Sequence, residues 1–374
     1  KIIDILFYNP NLNSWGFFFS INLYNMFNFQ IMFLKKLNKK TYFIAEIGVN
    51  HNGSLKLAKQ MVDSAKKSGA DAVKFQTFKA ESLVSPKTAK VKYQRKTTGL
   101  KSTHYEMIRS LEFSRENHIK IKNYCKKKSI DFISTPYDVK SAIFLNKIGC
   151  NIFKTASADI VDLELHNYLA NKKKTVIIST GMSTFDEIEK CLKVYKKSSN
   201  NNFILLHCVS NYPCSFNSLN LNVIPLIKKK YKCLVGFSDH TTDHEAAKIS
   251  VALGGKLIEK HFTINKRLPG PDQKTSILPK KFKELISQVR KTEIILGKAI
   301  KECQKEELEM KKISRKSMTL NKDIKMGDIL KKEFINLKRP GTGLYYSELK
   351  KVIGTKVKRD LKENYQFIYR DLKR

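Results

Sequence analysis

The chain is expected to be an α/β protein: a parallel (β/α)8, or TIM, barrel followed by a small second domain. Three observations carry this. Short runs rich in Val, Ile and Phe recur from Thr41 onward. Longer segments with apolar residues at helical spacing separate them. Polar residues able to bind or ligate gather at the C-terminal ends of the runs, where such a barrel carries its site. An open, doubly wound sheet is the alternative reading of the same alternation.

The strand candidates, in order, are "YFIAEIG", "DAVKFQT", "DFISTP", "NIFKTAS", "TVIIST", "FILLHCV", "LVGFSD" and "KLIEKHFT". Between the first two, Ser54 to Ser68 places Leu55, Ala58, Met61, Val62 and Ala65 on one helical face. Asp186 to Val194 and His244 to Leu253 repeat the pattern. Gly69, Gly149 and Gly254 follow such segments, where a left-handed cap favours glycine. One interval is long: Lys79 to Ile130 has room for a loop and one or two extra helices over the cavity end.

The 374 residues carry a formal net charge of +37. The lysines come as separate doublets and triplets, such as Lys126 to Lys128 and Lys228 to Lys230, without interleaved aromatics. This pattern excludes nucleic acid as the expected partner and reads as a drift in composition; a basic surface still draws in small anions. The seven cysteines form no C-x-x-C pair, and Cys208 and Cys233 sit in or near apolar runs, as in a cytoplasmic protein with reduced thiols. At the N-terminus "WGFFFSINLYNMFNFQIMFL", Trp15 to Leu34, is apolar but broken by Asn22, Asn25, Asn28 and Gln30. We expect translation to start at Met32 or Met26 and residues 1–31 to be a spurious or disordered extension, with a membrane anchor as the alternative. No membrane contact is expected for the main body.

Read at their ends, the strands offer Glu46, Lys74 with Gln76, Thr135, Lys154 with Ser157, Ser179, His207, Ser238 with His240, and Lys260 with His261. Each alone has an ordinary explanation. Polar groups inside strands cost free energy unless paired or used, so together they point to a site for an anionic substrate and a divalent metal. His240 has two candidate partners, His244 four residues on and His261 one βα unit later. Neighbouring parallel strand ends favour His261. Two imidazoles leave positions open for water and substrate, which suits Mn2+, with Mg2+ or Co2+ as alternatives.

The motifs "AEIGVNHNG", "GADAVKFQTF", "STPYD", "ISTGM", "LLHCVSNYP", "GFSDHT", "EKHFT" and "GPD" occur in the order found in sialic acid synthases. The resemblance runs from about Thr41 to the C-terminus. It implies condensation of phosphoenolpyruvate with an N-acetylated hexose to a nine-carbon 2-keto acid. It also implies a barrel over 32–296, a linker over 297–313 and, over 314–374, a small β-clip domain of the antifreeze-like (SAF) type. By the same resemblance Lys74, Thr135, Lys154, Ser157 and Ser238 hold phosphoenolpyruvate, and His240 and His261 hold the metal. Glu46, Gln76, Tyr212 and Asp272 contact the sugar. Arg339, in "KRPGTG", serves the other subunit of a domain-swapped homodimer. Glu46, Lys74, Lys154 and Asp159 are the expected catalytic set.

Three positions depart from the family pattern. Ser157-Ala158-Asp159 replaces Ser-Gly-Glu, Asp272-Gln273 replaces Asp-His, and Asn211 stands where a Glu precedes Tyr-Pro. "KFQTF" and "YQRKTTG" resemble the sialic and legionaminic branches more than the pseudaminic one. Pseudaminic-type specificity and an inactive, ligand-binding barrel are the alternatives.

Overall fold

A computed structural model describes residues 28–99 and 102–373. Eight parallel strands close a barrel in sequence order: β1 (Tyr42–Gly48), β2 (Ala72–Thr77), β3 (Asp131–Pro136), β4 (Ile152–Thr155), β5 (Thr175–Ser179), β6 (Phe203–Cys208), β7 (Leu234–Asp239) and β8 (Leu257–His261). β8 pairs back onto β1, with Glu46 beside His261. Closure, not an open sheet, removes both edges.

The helical returns follow from local chemistry. In Leu55–Lys67, Ser54 caps the start by accepting from the Leu57 N–H (3.2 Å), and Ala58, Met61, Val62 and Ala65 are buried. Gly69 then takes φ +96, a conformation open to glycine. The long interval holds three short helices before the barrel helix Arg115–Lys127: Ala80–Leu83, Lys92–Thr98 and His104–Ser110. One or two were expected.

Alternation divides each strand into two sets. Outward residues such as Phe43, Val73, Phe153, Ile178 and Phe237 join the large core under the helices. The inward set at the strand starts, including Ile44, Ile133, Ile152, Ile177 and Leu257, forms a second apolar cluster. A helix over 28–39 plugs this end, with Phe33 and Leu37 at 1% and 0% exposure within the same cluster. The expected domain start at Met32 therefore falls inside a packed helix. Gln30, from the expected extension, is buried and donates to the Lys173 carbonyl (2.6 Å). The rest of that extension, 1–27, lies outside the described residues.

A second compact unit begins at Lys298. The stretch expected to be a linker holds all but the last residue of the helix Leu308–Ser314. Antiparallel pairs β9 (Ser317–Leu320) with β10 (Ile335–Lys338) and β11 (Lys356–Val357) with β12 (Leu372–Lys373) surround a small core of Met318, Leu330, Val352 and Phe367. This is a small β-rich domain, as the resemblance implies. Among the described residues no helix is long and apolar enough to cross a membrane.

Candidate active site

The inward set changes character toward the strand ends. A cavity of about 920 Å3 opens there, lined by Glu46, Lys74, Gln76, Lys154, Glu259 and His261 among others. Parity explains the grouping. Leu257, Glu259 and His261 share one face of β8, so the apolar floor, a carboxylate and an imidazole stack in order. The same parity removes two expected members. Lys260 points outward to a buried ion pair with Asp239 (2.6 Å), and the outward His207 meets the Leu219 carbonyl through Nε2 (2.6 Å).

Four charged groups form the centre. Lys74 Nζ lies 2.6 Å from Glu46 Oε2 and 3.9 Å from Glu259 Oε2. Lys154 Nζ lies 3.7 Å from Glu259 Oε1. Lys74 also donates to Thr135 (3.1 Å), Lys154 to Ser179 (2.5 Å), Ser238 to Glu259 (3.1 Å) and Gln76 to Glu46 (3.1 Å). All four charges are buried, so each depends on its partners; an uncompensated ion here costs several kcal/mol. Burial raises the Glu46 carboxyl to about 7, with Lys74 opposing and Glu259 adding. Burial also presses on Glu259, but Lys154 and Lys74 hold it below the ordinary carboxylate range. Burial and the Lys74 charge lower Lys154 against the pull of Glu259. Lys74 is held above its ordinary range, because Glu259 and Glu46 outweigh burial.

The imidazoles lie beside this array. The rings of His240 and His261 are 5.6 Å apart, centre to centre. His240 donates from Nδ1 to the Val209 carbonyl (2.7 Å), which leaves Nε2 as the nitrogen for a proton or a metal; burial opposes the proton, but Cys208 beside the ring holds it above its ordinary range. His261 is held neutral by burial and by the nearby charges of His240, Lys74 and Lys154, and its buried Nδ1 has no hydrogen-bond partner. His244 sits instead at the cap of the helix Glu245–Ala252, away from the cavity lining. Among the described residues no group of three or more His, Cys, Asp or Glu converges as a closed metal cage. Two imidazoles, one fixed by a backbone carbonyl, fit a divalent ion that keeps open positions and displaces the proton from His240.

Aromatic rings wall the rest. Tyr212 packs at a tilt on His240 (4.0 Å) and meets His261 edge-on (5.4 Å). Tyr93, from the helix Lys92–Thr98, packs on Tyr212 (5.3 Å) and donates to Asp272 (3.4 Å). Burial pushes the Asp272 carboxyl up to about 6. Ser157 lines the cavity and accepts from the Gly181 N–H (3.0 Å). A Cβ on Gly181 would sit 2.4 Å from Ser210 Oγ and 2.8 Å from Ser157 Oγ, so a side chain there would force both hydroxyls to turn away.

Several expected residues stand elsewhere. Thr135 is behind the lining, fixing Lys74. Asp159 does not line the cavity. The short turn Ser157–Val161 sets its carboxyl near Asp162, and burial plus that charge raise it to about 7. Gln273 is fully buried and ties Asn50 to Thr263, so this departure from the family pattern is a structural clamp and not part of the cavity wall. Asn211 does line the cavity. Arg339 is exposed in the C-terminal unit. Sequence reading missed Glu259, Tyr93, Tyr137 and Cys208, all cavity-lining. Glu259 was legible, since it precedes His261 by two. Tyr93 lies in the long interval, where no period marks it.

Residues 61–301 match the NeuB family. The chain is 40% identical to the N,N'-diacetyllegionaminic acid synthase of Campylobacter jejuni over 87% of its length and 98% of that protein. It is 32% identical to the pseudaminic acid synthase of the same organism, over 87% of its length and 94% of that protein. The crystal structure of the sialic acid synthetase of Leptospira borgpetersenii superposes with a TM-score of 0.64 at 34% identity, covering 72% of this chain and 90% of that one. A barrel whose strand ends gather paired lysines, carboxylates and imidazoles in the family's motif order thus agrees with direct comparison, and the chain belongs to the NeuB family.

Proposed function

We propose that the protein is a C–C bond-forming transferase. It condenses phosphoenolpyruvate with an N-acetylated hexose of the N-acetylmannosamine or 2,4-diacetamido-trideoxy-mannose type, giving a nine-carbon sialic-acid-like 2-keto acid and phosphate. The observation that carries this reading is the buried array Lys74–Glu259–Lys154 beside the pair His240 and His261. It offers two cations to a small anion within one cavity.

In the reaction, C3 of phosphoenolpyruvate bonds to the aldehyde carbon of the open-chain sugar. Water adds at C2, and the tetrahedral intermediate breaks its C2–O bond to release phosphate. Lys74 and Lys154 bind the carboxylate and phosphate and follow the charge as it moves between them. Thr135 fixes the direction of Lys74, and Ser179 that of Lys154. Ser157 and Ser238 supply hydroxyls to the same anion. Glu46, Gln76, Tyr212 and Asp272 orient the sugar, and the Tyr212 ring keeps water off His240. A divalent ion on His240 and His261, taken as Mn2+, would polarise the aldehyde oxygen. Asp159 is left out of this set because it does not line the cavity.

The higher identity to a legionaminic acid synthase than to a pseudaminic acid synthase supports the legionaminic or sialic branch. The free thiols of Cys125 and Cys150 support a cytoplasmic location. The family resemblance supports a homodimer in which Arg339 of the SAF-like unit serves the partner's sugar site. Mixing Lys74→Ala and Arg339→Ala chains should then restore about a quarter of wild-type activity on random exchange; no recovery after proven exchange removes that role. The deciding experiment for the reaction is phosphate release from phosphoenolpyruvate with each candidate sugar. Sugar-dependent release supports the synthase, and binding without release with every sugar supports an inactive barrel.

A further inference from the structure

Helical returns in a parallel barrel bring every helix C-terminus to the end opposite the cavity. Lysine runs that are far apart in sequence therefore meet on one face. Leu55–Lys67 ends on Lys66 and Lys67, Arg115–Lys127 on Lys126 and Lys127, and Phe185–Lys197 on Lys196 and Lys197, all exposed. Val223–Tyr231 ends on a lysine triplet, and the plug helix over 28–39 adds its own exposed lysines.

A lysine at a helix C-terminus also complements the helix dipole, but that effect is confined to the last turn and one cation serves it. Here the excess is larger. Asp63, Asp71, Asp131 and Glu189 each engage one lysine of this face. Lys67, Lys126, Lys127, Lys196 and Lys197 form no ion pair among the described residues.

The same face carries exposed aliphatic side chains. Met32 is 62% exposed on the plug helix, and Ile294 and Ile295 are 80% and 73% exposed on the last turn of Pro279–Leu296. That turn lies at this end because Arg290 donates to the Thr41 carbonyl (2.8 Å), just before β1.

We propose that this basic end docks on an anionic lipid bilayer. Its lysines would lie over the headgroups, and Met32, Ile294 and Ile295 would enter the interfacial layer. A cationic surface with apolar protrusions is what such an interface selects. Nucleic acid would call for a basic groove with stacking aromatics, and here the exposed apolar groups are aliphatic. Docking at this end leaves the cavity facing bulk water, open to its soluble substrates.

The test is co-sedimentation of the full chain with phosphatidylcholine vesicles, with and without about one-third phosphatidylglycerol. Binding should require the anionic lipid and should fade between about 0.1 M and about 0.5 M salt as the Debye length shortens. Lys126→Glu, Lys127→Glu, Lys196→Glu and Lys197→Glu together should weaken it at least about tenfold. The same change in charge at Lys56, Lys140 and Lys280, exposed in the first turns of barrel helices and so at the cavity end, should weaken it less than about twofold. Phosphate release checks that the variants fold, and Gln at the first four positions replaces Glu if that variant does not. Equal losses from both sets, no binding to anionic vesicles, or tighter binding to a DNA duplex at matched salt would each overturn the proposal.

Discussion

The two ends of the barrel interior are built from the same strands and solve different problems. At the strand starts Ile44, Ile133, Ile152 and Leu257 pack against Phe33 and Leu37 in an apolar cluster. Two residues further along, the same inward faces carry Glu46, Thr135, Lys154 and Glu259. One end buries apolar area and gains stability directly. The other buries four charges that must compensate one another and that a substrate anion can rearrange. Stability and chemistry are therefore separated by about two residues of strand, about 7 Å.

The separation can be broken most severely at the imidazoles. His261→Ala or His240→Ala should abolish phosphate release, a loss of at least about ten-thousandfold, because each removes one of the two adjacent imidazoles that would hold the divalent ion. His244→Ala should leave it within about twofold, since that side chain does not line the cavity. Chelation followed by Mn2+ readdition checks the same point. Comparable losses at His244 and His261 would sink the pairing.

The next effect belongs to the other end. Phe33→Ala opens a cavity beside Tyr42, whose ring lies 5.1 Å away edge-on. It should cost about 3–5 kcal/mol in chemical denaturation, with activity per folded molecule nearly unchanged. A large fall in kcat without a loss of stability would show that the plug is coupled to the site.

Lys154→Ala should lower kcat/KM for phosphoenolpyruvate about a hundredfold, through both KM and kcat. It also leaves Glu259 with one cation fewer, so Lys154→Gln serves to separate charge from packing. Unchanged phosphoenolpyruvate kinetics would remove Lys154 from the anion site.

The smallest effect concerns Asp159. Its folded carboxyl is raised from 3.8 to about 7. Its contribution to stability is therefore full below the unfolded value and is lost as pH rises through about 7. Asp159→Asn should raise Tm relative to the parent by a few degrees near pH 8 and by less than half as much near pH 5. The same shift at both pH values would mean that the carboxyl is not buried against its charge.

The sequence alone determined the eight strands, their order and the helical returns, because periods of two and of about 3.6 are local properties of side-chain placement. It also determined that Lys74, Lys154, His240 and His261 stand near strand ends. The tertiary structure decided which of those residues share the cavity. Barrel closure fixes one inward parity for each strand, so His261 turns in while Lys260 turns out to Asp239. It decided that Gln273 is a clamp and Asp159 a side branch, since both depend on how loops cross the strand ends. It alone brought the dispersed lysine runs to one face. Their distance along the chain spans whole βα units, and only the fold makes helix ends that are far apart in sequence neighbours in space.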